Sequence, residues 1–101
     1  YDVFVDLRES SPSFGQWSGL NLSSDNMKQI WIPPGFAHGF LTLSSKAEVL
    51  YKTTDYWYKE NEKTIIWNDK NISIDWPLTK KVIVSEKDRN GITFKEAQYF
   101  K

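Results

Sequence analysis

The sequence predicts an all-β domain, a sandwich or barrel, and three observations lead there. Turn-forming residues punctuate the chain at intervals of roughly eight to twelve residues, leaving about six or seven short stretches of strand character. Some of these stretches alternate apolar and polar residues, the period of an extended chain. No strand–helix–strand alternation, repeat or low-complexity run interrupts them, so residues 1–101 are expected to form a single domain.

Taken in order, "YDVFVDLR" places Val3, Val5 and Leu7 between Asp2, Asp6 and Arg8, the pattern of a strand with one apolar face. It starts without a methionine, turn or cap, as a strand entered part-way, and the chain is therefore expected to be a piece of a longer polypeptide. "ESSPSFG" (9–15) is a turn cluster, and "QWSGLNL" (16–22) alternates into a second strand. "SSDN" (23–26) turns, with side chains able to bond nearby amides. "KQIWI" (28–32) is a short strand halted by Pro33 and Pro34, which have no N–H for a ladder. "AHGFLTLS" (37–44) follows, then "AEVLYKTTDYWY" (47–58), the longest strand candidate. "KTIIWN" (63–68) is short, "DKNIS" (69–73) turns, and "DWPL" (75–78) is irregular. "KKVIVS" (80–85) has strand or extended character. Only "TFKEAQYF" (93–100) has helical tendency, as a short helix or a tail.

Composition narrows the function classes. Thirteen basic and thirteen acidic residues give a formal net charge of zero, with no basic stripe to attract nucleic acid or an anionic membrane. The absence of cysteine removes disulfides, thiolate metal sites and thiol nucleophiles, and points to a reducing compartment. With no apolar run of membrane-spanning length, the expected location is the cytoplasm. Five tryptophans, five tyrosines and six phenylalanines are enough to fill a β core or line a pocket.

Three stretches bear on chemistry. In "WIPPGFAHGF" (31–40) a Pro-Pro-Gly turn precedes His38, the single histidine. Pro33-x-Gly35-x-x-His38 has the form of half a cupin metal signature, but its His-x-His-x-Glu companion is missing. A metal needs three or four converging ligands, so none is expected here. From the residues alone His38 is as well read as a hydrogen-bonded core histidine. In "LYKTTDYWY" (50–58), strand alternation would put Tyr51, Thr53, Asp55 and Trp57 on one face. That face would make a poor apolar core and a good ligand wall, with a phenol to donate a proton and an indole to stack. The opposite face is no more apolar, so periodicity does not choose between ligand wall and barrel cover. In "SEKDRNG" (85–91), Lys87 and Asp88 stand beside an Asn90-Gly91 turn, and composition alone reads a solvated loop. No Ser-His-Asp order, phosphate loop or paired carboxylates emerge. The residues by themselves lead to a β barrel with an aromatic mouth.

Read together, "VDLRESSPSFGQW", "QIWIPPGFAHGFLTLS", "EVLYKTTDYW", "IIWND", "IDWPL" and "SEKD" closely resemble the dTDP-4-dehydrorhamnose 3,5-epimerase family over nearly the whole chain. The resemblance implies a cupin-type jelly-roll barrel, present here as its C-terminal portion, that forms a homodimer and needs no metal or other cofactor. It implies a nucleotide-sugar isomerase that inverts C3 and C5 of dTDP-4-dehydro-6-deoxyglucose on the route to dTDP-L-rhamnose. The C4 ketone acidifies both neighbouring C–H bonds, so a base can take one proton and an acid on the opposite face can return one. By the same resemblance Tyr51 is that acid and Trp57 stacks on thymine. His38, Glu62 and Lys87 contact substrate, and Asp88 is the carboxylate paired with the catalytic histidine, fixing its tautomer and stabilising its cation. The family's base-bearing "RGLH" segment, oxyanion lysine and diphosphate arginines belong to an N-terminal part ahead of these residues. The 101-residue chain alone is therefore expected to be inactive, and, with an open strand edge, to be unstable or prone to aggregate. Rival readings are an epimerase acting at one centre only, a non-catalytic carbohydrate-binding jelly roll, and a metal-dependent cupin oxygenase.

Overall fold

The computed structural model describes all 101 residues. Three strands form one antiparallel sheet: β1 (Asp2–Asp6), β2 (Trp17–Leu20) and β3 (Phe36–Phe40), in the order β2-β1-β3. β1 is central because both neighbours are antiparallel to it and register directly, Val3 opposite Gly19 on one side and Gly39 on the other. Its central place buries both of its faces. Val3 is 1% exposed, and Val5 and Leu7 pack with Ile72 against Trp17, Ala37, Ile65, Ile74 and Phe94. Each such valine stabilises the fold by about 1.5–3 kcal/mol through removal from water.

The opposite face of β1 is a finding that alternation alone does not reveal. Asp2 and Asp6, which the sequence pattern places toward solvent, are 7% and 2% exposed. Direct antiparallel partners point to the same side, so Asp2, Phe4 and Asp6 share a face with Phe40, His38 and Phe36. The polar side of β1 thus buries its two carboxylates, while His38 and Phe40 of the facing strand stay exposed.

The C-terminal tail closes the bottom of the sheet. Glu9 N–H donates to Phe100 O at 2.7 Å and Phe100 N–H to Leu7 O at 2.9 Å, forming a parallel bridge at Arg8–Phe100. Phe14, Phe94 and Tyr99 cluster there with ring centroids 4.9–5.5 Å apart, and the Tyr99 hydroxyl donates to Phe94 O. The helical tendency read over 93–100 is realised as one 3-10 turn, Phe94–Glu96, closed by a Thr93–Glu96 capping box. Residues 85–91, read as a loop, instead contain a one-turn helix α1 (Glu86–Arg89), because the Ser85 hydroxyl accepts the Asp88 N–H.

Four expected strands, at 28–32, 47–58, 63–68 and 80–85, do not join a sheet. Residues 63–68 supply only an isolated bridge, Ile65 to Ile92. Residues 47–58 are exposed throughout and turn at Asp55, whose backbone carbonyl accepts from the Thr53 hydroxyl and whose carboxylate accepts from the Tyr56 N–H. The physical reason is that a strand, unlike a helix, cannot satisfy its own backbone groups. Side-chain pattern records strand character but not whether a partner is in reach.

Candidate active site

His38 is aimed by the turn before it. Gly35 adopts φ +90°, a conformation favouring glycine, and a Cβ there would lie 2.6 Å from Arg8 Cγ. Its carbonyl accepts the Leu7 N–H at 2.9 Å, locking the turn to the end of β1. Arg8 then stacks over Phe36, 4.7 Å from the ring centroid. That guanidinium is held by Asp6, through Nε and Nη2 at 2.9 Å each, and the Asp6 carboxylate also accepts from Ser11, Ser13 and the Arg8 amide. Arg8 first, helped by the two hydroxyls and the amide, holds the Asp6 carboxyl far below the usual carboxylate range against the opposing effect of burial.

From this base β3 carries His38 to the buried carboxylate of Asp2, with Nε2 3.0 Å from both Oδ1 and Oδ2. A carboxylate only accepts, so the pairing places a proton on Nε2 and leaves Nδ1 for another partner. His38 is the predicted site residue whose setting is most defined, and Asp2 is the functional neighbour that sequence reading missed. Its signal was its parity with Asp6 on β1, which becomes meaningful only once the register with β3 is known.

A second group of predicted residues meets at α1. Lys87 donates to Glu62 Oε1, and the Trp57 indole N–H donates to Glu62 Oε2 at 3.1 Å. Lys87 and then Trp57 hold Glu62 below the ordinary carboxylate value. Glu62 in turn raises Lys87, chiefly through their hydrogen bond, and the charge of Asp88 adds to that pull. Tyr51 and Trp57 are 77% and 71% exposed. Asp88 lines an apolar hollow of about 100 Å³ together with Phe40, Leu41, Trp67, Trp76 and Val84. Phe40 links the two groups, its ring lying 6.4 Å from that of His38. The site therefore offers a phenol, an ammonium–carboxylate pair, an open indole face and an imidazole–carboxylate pair. Nowhere do three or more His, Cys, Asp or Glu side chains gather into a possible metal site.

A family model described as dTDP-4-dehydrorhamnose 3,5-epimerase matches residues 1–96. The chain belongs to this epimerase family. It is 57% identical over 100 residues to the dTDP-4-dehydrorhamnose 3,5-epimerase of Pseudomonas aeruginosa, covering 99% of this chain and 55% of that protein. The Escherichia coli enzyme of that name is 54% identical over 96 residues, 95% of this chain and 52% of its own length. A crystal structure of the Legionella pneumophila epimerase in complex with dTDP-4-keto-L-rhamnose superposes with a TM-score of 0.92 at 47% identity, covering 96% of this chain and 52% of that one. The Bacillus anthracis epimerase, solved with TDP and PPi bound, gives 0.80 at 45% identity, covering 92% and 53%. The chain thus spans about half the length of the relatives it matches and has the fold of the C-terminal portion of the epimerases' cupin-type jelly roll. No helix is long and apolar enough to cross a membrane.

Proposed function

We propose that the protein bearing these residues epimerises C3 and C5 of dTDP-4-dehydro-6-deoxyglucose, giving dTDP-4-dehydro-L-rhamnose. The observation that carries this reading is the joining of Trp57 and Lys87 through Glu62, beside Asp88 on α1, in a chain of this family. At each centre a C–H bond next to the C4 ketone breaks, its electrons pass into an enolate, and a new C–H bond forms from the opposite face. Tyr51 is the donor of that second proton, an open phenol on the same exposed segment as Trp57. Asp88 pairs with the imidazole that serves as base, and Trp57 stacks on thymine. His38, Glu62 and Lys87 hold the substrate, and His38 keeps its orientation through Asp2. The wider reading is a homodimer, in the cytoplasm, in which the large apolar side chains exposed here are covered. A single domain over residues 1–101, within a longer chain, completes the reading.

Tyr51→Phe in the full-length protein tests the assignment. Turnover, followed by solvent deuterium uptake at C3 and C5, should fall at least about 100-fold while dTDP binding is kept. Unchanged turnover would remove Tyr51 from the chemistry. NMR of the product should show both centres inverted, and inversion at one alone would replace the reading with a single-centre epimerase.

A further inference from the structure

Asn90 and Gly91 close α1, and the group through which each could react is unengaged. Asn90 is the C-cap, its own N–H donating to Glu86 O at 3.0 Å, and its side chain is exposed. Neither its side-chain amide nor the Gly91 N–H has a hydrogen-bond partner in the chain. Among the asparagines, Asn90 alone precedes a glycine, whose missing side chain leaves the backbone nitrogen least hindered. The cap ends a helix of four residues, too short to hold its last turn firmly. Rotation of the backbone at Asn90, away from ψ 15°, brings the Gly91 nitrogen to that side chain. Beyond the cap the chain is fixed. Ile92 N–H donates to Thr64 O at 2.9 Å and Ile66 N–H to Ile92 O at 2.8 Å. Gly91 is pressed so close to this neighbour that a Cβ on it would lie 2.6 Å from Ile66 N.

We propose that Asn90 is a self-modification site, converted to isoaspartate and aspartate by the Gly91 nitrogen, and that the product unmoors α1 from segment 64–66. The Gly91 nitrogen attacks Cγ of Asn90, and a C–N bond forms as the bond from Cγ to Nδ2 breaks. The proton of the attacking nitrogen leaves with Nδ2 as ammonia, and a five-membered imide remains. Water opens the imide at either carbonyl, giving aspartate, or isoaspartate whose main chain runs through Cβ and Cγ. The steps consume water and release ammonia, with no change of oxidation state. Isoaspartate lengthens the main chain by one carbon, at a place where Gly91 has no free space to take it up. The strain falls on the bridge between Ile65 and Ile92 and on the cap, and so on the helix that carries Lys87 and Asp88.

The test is to age the full-length protein for days at physiological temperature and mildly alkaline pH, then weigh its tryptic peptides. Peptide 90–95, released by cleavage after Arg89 and Lys95, should gain ~1 Da, or ~3 Da in water enriched in oxygen-18. Its conversion should run at least about tenfold faster than that of any other asparagine in the same sample. Enzymatic methylation of isoaspartyl carboxylates marks the lengthened product. A rate no greater than that of the other asparagines would overturn the proposal. Modified molecules carry added negative charge and separate from unmodified ones by anion exchange, so no variant has to fold. In the modified fraction, amide exchange at Ile66 and Ile92 should quicken at least about fivefold, and equal exchange would overturn the loosening of α1. Turnover, which depends on α1 by the reading above, should fall about twofold or more in that fraction. Full turnover there, with Lys87→Ala impaired, would overturn the effect on the site. Full turnover in both would overturn the reading of Lys87 instead.

Discussion

Two regions of this molecule carry its candidate chemistry, and they are held in opposite ways. The sheet end, built from β1, β3 and the turns beside them, fixes His38 through buried carboxylates, a stacked guanidinium and direct strand pairing. The segment from 42 to 62 holds Tyr51, Trp57 and Glu62 on an exposed path whose one hydrogen-bonded tie to the rest is Glu62 to Lys87. The difference is in where the partners are. In the first region the buried carboxylates of Asp2 and Asp6 both have their donors inside the chain. In the second, side chains of the same chemical quality are aimed by one ion pair. A site can therefore be half preformed, and a mutation in the one half should act on stability while a mutation in the other acts on ligand.

The largest effect should come from Asp6→Ala. It leaves the Arg8 guanidinium, two serine hydroxyls and the Arg8 amide without their common acceptor at a place 2% exposed. Melting followed by circular dichroism should show a drop in Tm of more than about 10 °C. The pH dependence follows from the sign of the shift. Asp6 is held below its ordinary value of 3.8, so its contribution is complete above that value and drains away as pH falls below it. Asp69 acts in the same direction: burial raises it, but the amides of Phe94, Ile72 and Asn71 and the charge of Lys95 outweigh burial. Asp6→Ala should accordingly flatten part of the acid limb of the stability curve. A melt that shifts by only a few degrees would mean that Arg8 finds other acceptors and the sheet end is less dependent on this cluster than the geometry shows.

What sequence could disclose follows the same division. The alternation of Val3, Val5 and Leu7 named a strand and its apolar side correctly, because that side is decided by the residues themselves. The Pro-Pro-Gly turn before His38 was legible for the same reason, since φ and the missing N–H are local properties. The roles of Asp2 and Asp6 were not, because burial of the polar face depends on which strands lie alongside. Residues 47–58 show the converse error. Their aromatic and β-branched content is that of a strand, but ladder bonds need a neighbour that the residues of this chain do not supply. The joining of Glu62 to Lys87 crosses 25 positions and a helix cap, and no spacing rule in either segment announces it. The resemblance of "EVLYKTTDYW" and "SEKD" to one family marked the residues without disclosing how they meet.

A smaller effect is expected at Val5, which is buried on the apolar face with Leu7 and Ile72. Val5→Ala should cost about 2–3 kcal/mol, from the lost transfer of two methyl groups and the gap left behind, read as a lower urea midpoint. An unchanged slope would show that the same unfolding transition is being measured. A loss near zero would mean that the sheet relaxes into the space, and that the hydrogen-bonded cluster on the other face carries the strand alone.

The smallest effect should be at Leu50, 93% exposed on the segment between 42 and 62. Leu50→Ser replaces an apolar surface that is in water in the folded chain and in water in the unfolded one. Its transfer free energy then cancels, and the urea midpoint should imply a change within about 0.5 kcal/mol. The cancellation holds only while nothing covers the side chain. If the substitution costs more than about 1 kcal/mol, Leu50 is covered in solution, by a second molecule where the midpoint of the parent protein rises with protein concentration and by the same chain where it does not. Measuring both midpoints at two concentrations separates a segment that stands open from one that is open in the single chain and covered in an assembly.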